Sequence, residues 1–136
     1  MSKAAMYVVN NATQEVAVNG TINPGSIIRR FGQCIGLSGN GIQLNSGGYY
    51  SVDSSISLSA TEAGEVTVSV FKNGIAIPGA TATVTAAAAG DILNLSIDTL
   101  IRQFECGYNP GPASLTFVVT GVPVTVTNIA SVIIKL

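Results

Sequence analysis

Between Val66 and Val84 the sequence alternates so regularly that it predicts two paired β-strands. Apolar residues occupy every second position of the first half, which is the period of a sheet with one buried face: Val66, Val68 and Val70. Asn73-Gly74 then supplies two residues that tolerate positive φ, the strongest short-range signal for a hairpin turn. Pro78-Gly79 interrupts the pairing before the alternation resumes. The stretch therefore predicts a β-hairpin with an irregular return strand.

The same kind of pattern covers most of the remaining chain. Tyr49 to Ala60 is the clearest case, with Tyr50, Val52, Ile56 and Leu58 on one face and mostly serines on the other. Other short alternating segments follow at spacings of about 8 to 12 residues, separated by Gly, Pro and Asn turns, which is typical of an all-β sandwich or barrel. No internal repeat or linker interrupts residues 1–136, so we expect one domain.

Two segments are apolar on both faces, Ala4 to Val9 and Ile129 to Leu136. A strand of this kind needs cover on both sides. We predict that the two are neighbours in one inner sheet, with one side facing the sandwich core and the other facing a partner subunit.

A change of parity marks the long segment from Ile92 to Glu105. Leu93, Leu95 and Ile97 share one face, whereas Leu100 and Phe104 share the other. Because one inserted residue flips the set that faces the core, this pattern predicts a β-bulge near Asp98-Thr99. Asp98 and Arg102 have the same parity, and we expect them to form a structural ion pair.

The chain is unusually poor in charge for its apolar content. Apolar residues make up 47% of it and charged residues 10%, against about 25% in ordinary soluble domains. No run reaches the roughly 20 apolar residues of a membrane helix, so no membrane insertion is expected. Burial between identical subunits would accommodate the excess apolar surface. An efficient small β-core is the competing interpretation.

Several function classes lack the residues they require. The net charge is −1 and the only adjacent basic residues are Arg29-Arg30, so no basic stripe for nucleic acid is present. There is no histidine, no CxxC and no dense acidic cluster, and we therefore expect no metal, no cofactor and no catalytic residue. Cys34 and Cys106 are either reduced thiols or, if their loops meet, a disulfide; a Cys-His nucleophile is excluded.

The N-terminal segment, Met1 to Asn11, does not read as a signal peptide, because Asn10 breaks its apolar stretch too early. We expect synthesis in a cytoplasm. That origin is compatible with a final location in a virus particle or another extracellular surface assembly, because virus particles assemble inside cells.

In this context the chain resembles the jelly-roll superfamily of complement globular-head and tumour-necrosis-factor-like trimers. The features are Gly47-Gly48-Tyr49-Tyr50 opening a long strand, the hairpin of residues 70–75, the Gly90-Asp91 step and a closing C-terminal strand. They occur in the family's order. The resemblance implies about ten strands in two antiparallel sheets and a homotrimer formed about the inner sheet. With the two-sided apolar segments, it predicts a trimer interface that includes Met6, Val8, Val132 and Ile134.

Two functional hypotheses follow from the resemblance. In the first, the chain is a non-enzymatic structural subunit of a phage virion (a head fibre, a decoration or a tail-associated protein) that contacts other virion proteins. In the second, the trimer is a knob that binds a host-surface receptor or a glycan through apical loops, with Tyr108 and Asn109 as candidate ligand residues. Ordinary loop packing is the competing interpretation for Tyr108.

Overall fold

The computed structural model describes residues 3–103 and 113–136. These residues form twelve β-strands and contain no helix with the length and apolar character that a bilayer crossing requires. In chain order the strands are β1 (Ala4–Asn10), β2 (Gln14–Val16), β3 (Thr21–Ile22), β4 (Ser26–Phe31), β5 (Ile35–Ser38), β6 (Gly41–Leu44), β7 (Gly48–Ala60), β8 (Gly64–Lys72), β9 (Ile75–Ala86), β10 (Ile92–Gln103), β11 (Ala113–Gly121) and β12 (Val124–Lys135).

The strands form two antiparallel sheets. The first sheet has the order β10-β7-β12-β1-β4, with the short β2 pairing with β12; the second has the order β5-β6-β11-β8-β9, with the short β3 pairing with β11. From β4 onward the chain passes repeatedly from one sheet to the other, so the first sheet pairs strands distant in sequence, whereas the second joins two hairpins, β5–β6 and β8–β9, through β11. This confirms the predicted all-β sandwich. The two five-stranded paths match the expected ten strands, and β2 and β3 are additions.

The core lies between the sheets and is built by strand alternation. On β7 the even positions from Tyr50 to Ala60 are buried, while the odd positions are half-buried or exposed, as predicted. Across from them, β11 contributes Leu115, Phe117 and Val119. The tyrosine hydroxyl satisfies its buried donor by a 2.7 Å hydrogen bond to the Ser46 carbonyl. The inward-facing side chains of the two sheets therefore pack together as one continuous apolar core.

The predicted hairpin is confirmed as β8 and β9. Asn73 (φ 52°) and Gly74 (φ 83°) form the turn between them, with the positive φ at both positions that a two-residue hairpin loop requires. The register shifts between Ser69 and Phe71, opposite the Pro78-Gly79 segment. The break in pairing thus falls where proline, which lacks an N–H donor, was expected to interrupt the ladder.

The predicted adjacency of the terminal strands is also confirmed, but the prediction that Met6 and Val8 face a partner subunit is wrong. β1 and β12 pair antiparallel. Met6 and Val8 are 1% and 0% exposed and point into the sandwich core. They therefore cannot contact a second subunit through the outer face of the sheet, which points away from the core. Val132 and Ile134 lie on that outer face, opposite Tyr7 and Ala5. The physical reason is parity, since directly opposed residues share a face and successive ones alternate.

The predicted bulge near Asp98-Thr99 is wrong. β10 pairs with β7 in one unbroken register from Ile92 to Gln103. Leu95, Ile97 and Ile101 all face the core, and Leu100 is 59% exposed on the other side. Leu100 is an apolar residue on the outer face, and this gave the sequence the same pattern that a bulge would give.

Candidate functional site

The outer face of the first sheet, which points away from the core, carries an exposed apolar patch. Four residues from three strands form most of it: Tyr7 (38% exposed), Phe31 (67%), Ile134 (40%) and the half-buried Val132. With Ala5 and Arg29 they surround a depression of about 180 Å³. Contiguous exposed apolar surface of this kind marks interaction sites in soluble proteins.

Register places the patch within an ordered set of residues, which we call the cross-sheet row. Asp98 on β10 lies opposite Asp53 on β7, and Asp53 lies opposite Val132 on β12. Val132 in turn lies opposite Tyr7 on β1, which lies opposite Arg29 on β4. All five occupy the outer parity of their strands. The row therefore runs from an acidic end through an apolar middle to a basic end.

The acidic end of the row is a pair of carboxyl groups. A side-chain hydrogen bond to Asp98 raises the pKa of Asp53 above its ordinary value of 3.8, and partial burial and the charge of Asp98 raise it further. The pair borders a depression of about 300 Å³ whose other lining residues are small, including Ser55, Ser96 and Ala130. The predicted ion pair of Asp98 with Arg102 is wrong, because Asp98 instead lies opposite Asp53 and hydrogen-bonds it. The Arg102 guanidinium lies 5.7 Å from the centroid of the Tyr49 ring.

A larger cleft lies elsewhere, beside the tip of the β8–β9 hairpin. It has a volume of about 410 Å³ and lies between residues 72–78 and residues 100–102. Lys72 Nζ donates a 2.9 Å hydrogen bond to the Arg102 carbonyl. Among the described residues that line it, none offers a carboxylate, thiol or hydroxyl, and Lys72 supplies the only amine. The lining therefore gives this amine no carboxylate or hydroxyl beside it to act as a second catalytic group.

The structure describes only some of the other residues that the sequence suggested for a site. Tyr108, Asn109 and Cys106 lie outside the described residues, so the loop hypothesis stays a prediction. Cys34 carries a free, half-buried thiol. Within the described ranges no three histidine, cysteine, aspartate or glutamate residues are grouped so that they could hold a metal ion. The sequence analysis missed the Asp53–Asp98 pair, although the outward parity of both residues could have suggested it.

Comparison with known proteins identifies the fold. No family model matches the sequence, and no curated protein matches it. Solved structures do match over nearly the whole chain. Murine APRIL at pH 5.0 has a TM-score of 0.65 at 10% identity, covering 99% of this chain and 100% of APRIL. Eiger TNF from S. frugiperda has a TM-score of 0.63 at 9% identity, with coverage of 98% and 91%.

Vertex protein P5 of PRD1 has the same fold, with a TM-score of 0.57 at 15% identity and coverage of 98% and 96%. The chain thus has a tumour-necrosis-factor-like jelly-roll fold, as the resemblance implied. At these identities the likeness establishes the fold.

Proposed function

We propose that this chain is a non-enzymatic structural subunit that assembles into a homotrimer through the outer face of the first sheet. The apolar patch of Tyr7, Phe31, Val132 and Ile134 carries the proposal. Strands β1, β12 and β4 hold these side chains at fixed positions, which lowers the ordering cost of an interface. A second copy of the same chain is the partner we propose for this patch, because such a copy is present wherever the protein is made.

The surface composition supports an obligate rather than a transient interface. Only 13 of the 136 residues are Lys, Arg, Asp or Glu. Exposed apolar side chains with so little charge around them favour association, and obligate interfaces are more apolar than transient ones. The fold is compatible with this use, because Tyr7, Phe31 and Ile134 on the outer face are exposed to solvent in the part of the chain that the structure describes.

We further propose that the trimer belongs to a virus particle, as a head fibre, a decoration or a tail-associated protein, or to a similar surface assembly. The likeness to a vertex protein, P5 of PRD1, supports this placement. The lining of the cleft beside the β8–β9 hairpin, which offers no carboxylate, thiol or hydroxyl among its described residues, favours a structural over an enzymatic role.

Light scattering coupled to size-exclusion chromatography tests the trimer. The expected mass is three times the 13.8 kDa of the chain. Ile134→Lys places a charge in the patch and is expected to yield monomers. Ile75→Lys is the matched control, because Ile75 is 73% exposed but belongs to the second sheet, and it should remain trimeric. A monomeric wild-type protein at micromolar concentration would overturn the proposal.

The particle role needs a separate measurement. Virus particles purified on a density gradient from the producing culture should contain peptides of this chain, in constant ratio to the other particle proteins across the peak. A signal confined to the soluble fractions at the top of the gradient would contradict the particle role and leave the trimer standing.

A further inference from the structure

The cross-sheet row has opposite charges at its two ends, and this polarity indicates how the subunits meet. We propose that the trimer is a closed head-to-tail ring in which Arg29 of one subunit binds the Asp53–Asp98 pair of the next. The inference rests on the proposed homotrimer and adds to it the orientation of the subunits and the residues that fix it.

Within one chain the two ends cannot neutralise each other. β1 and β12 separate β4 from β7, so Arg29 and Asp53 are three strand spacings apart, or about 14 Å. Asp98 is one spacing farther, at about 19 Å. Arg29 has no hydrogen bond or ion pair with any residue in the described ranges. Its guanidinium is therefore available to a second molecule.

The acidic end is shaped to receive a cation. Two directly opposed carboxyl groups repel each other when both are ionised, and one guanidinium can bind both through its fork of N–H donors. Ser55, Ser96 and Ala130 are small and leave the depression beside the pair open. Val132 lines both this depression and the apolar one, so a side chain docked in either would also cover the middle of the row.

The exposure of β4 favours a ring over a two-fold dimer. Two sheets stacked face to face about an axis parallel to the strands would also bring Arg29 to the acid pair of the partner. That arrangement would cover Phe31 with the rest of the outer face but would leave the β4 edge in water, although all six residues of β4 are exposed and Ile28 is apolar. A ring in which the β4 edge of each subunit lies on the outer face of the next covers both the outer face and the β4 edge.

Disulfide trapping tests the geometry. Arg29→Cys and Asp98→Cys are combined in a background with Cys34→Ser and Cys106→Ser. The two new cysteines are too far apart to bridge within one chain, because a disulfide requires Cα atoms within about 7 Å. Mild oxidation is expected to give a covalent trimer on a non-reducing gel, and each single-cysteine variant is expected to stay monomeric there. A covalent dimer as the main product, or cross-linking by either single cysteine, would overturn the ring.

Charge exchange provides a second readout that needs no cross-link. Arg29→Glu should weaken trimer association by about tenfold or more, and adding Asp98→Arg should restore most of it. Lys72→Glu is the matched control, because Lys72 lies on β8 of the second sheet and outside the row. Equal weakening by Arg29→Glu and Lys72→Glu would refute the inference while the homotrimer stood. A monomeric wild-type protein would instead refute the proposed function itself.

Discussion

The side chains of Asp53 and Asp98 face each other across β7 and β10 and share a hydrogen bond. Two carboxyl groups can share a hydrogen bond only while one of them carries a proton. This hydrogen bond therefore stabilises the protonated form and raises the pKa of Asp53. The third strand beside them, β12, places the uncharged Val132 opposite Asp53. The hydrogen bond between the two carboxyl groups therefore makes the charge of this pair depend on pH.

Acid is therefore expected to dissociate the trimer. Docking of a partner's Arg29 favours the ionised carboxylates and lowers the pKa of Asp53, so association releases protons. Association strengthens as the pH rises and weakens as the pH falls through the raised pKa of the free subunit, which lies above 3.8. Sedimentation equilibrium between about pH 4 and pH 7 measures this. Asp53→Asn should flatten the profile, and an unchanged slope in that variant would assign the acid sensitivity to another group.

Ser54 and Ser131 form a buried polar contact in the core layer of the first sheet, where the Ser54 hydroxyl donates to Ser131 Oγ at 3.1 Å. Ser131→Ala leaves the Ser54 hydroxyl without this acceptor and is expected to lower the free energy of unfolding by about 1–3 kcal/mol. The double variant with Ser54→Ala removes both hydroxyls and should cost less than the single one. Denaturant unfolding at one fixed protein concentration gives the three values, and additive losses would contradict the coupling.

Gly121 ends β11 with φ 97°, and a Cβ there would collide with the carbonyl oxygen of Glu65 on β8. Gly121→Ala is expected to cost about 2–4 kcal/mol, since it adds a backbone clash to the penalty of a positive φ. Gly79→Ala is the control, with φ 81° and nothing within 4 Å of the added Cβ, and should cost about 1 kcal/mol. Thermal unfolding separates the two. Similar melting temperatures would show that the Glu65 segment moves aside.

The features that could be predicted from sequence were those that local chemistry determines. Asn73-Gly74 specified the hairpin turn, and the strict alternation after Tyr49 identified the buried face of β7. The adjacency of β1 and β12 followed from composition alone, because a strand that is apolar on both faces belongs in the interior of a sheet.

The features that could not be predicted depend on tertiary register. When both faces of a strand are apolar, alternation does not say which one meets the core, and Met6 and Val8 were placed on the wrong side. Leu100 on the outer face likewise imitated a bulge. The Asp53–Asp98 pair joins strands whose relative register only the packed sandwich determines.

Asn73 does more than the turn preference predicted, because it also attaches the hairpin to β11. Its Oδ1 accepts a 2.9 Å hydrogen bond from the Ser114 N–H, and its own N–H donates to the Ser114 carbonyl at 2.9 Å. Asn73→Ala loses the side-chain acceptor and places alanine at φ 52°, so a cost of about 2 kcal/mol is expected. Asn73→Gly keeps the backbone conformation and should cost about 1 kcal/mol, which isolates the hydrogen bond.

Amide hydrogen exchange at Ser114 distinguishes the two contributions of Asn73. Its N–H should exchange faster in both variants, because both lack the Asn73 acceptor, whereas only Asn73→Ala should also accelerate exchange at Phe71 and Lys72 in the adjoining strand. Unchanged protection at Ser114 in Asn73→Gly would show that the side chain does not hold β11. The turn residue would then act through its backbone conformation alone, as the Asn-Gly pattern by itself suggests.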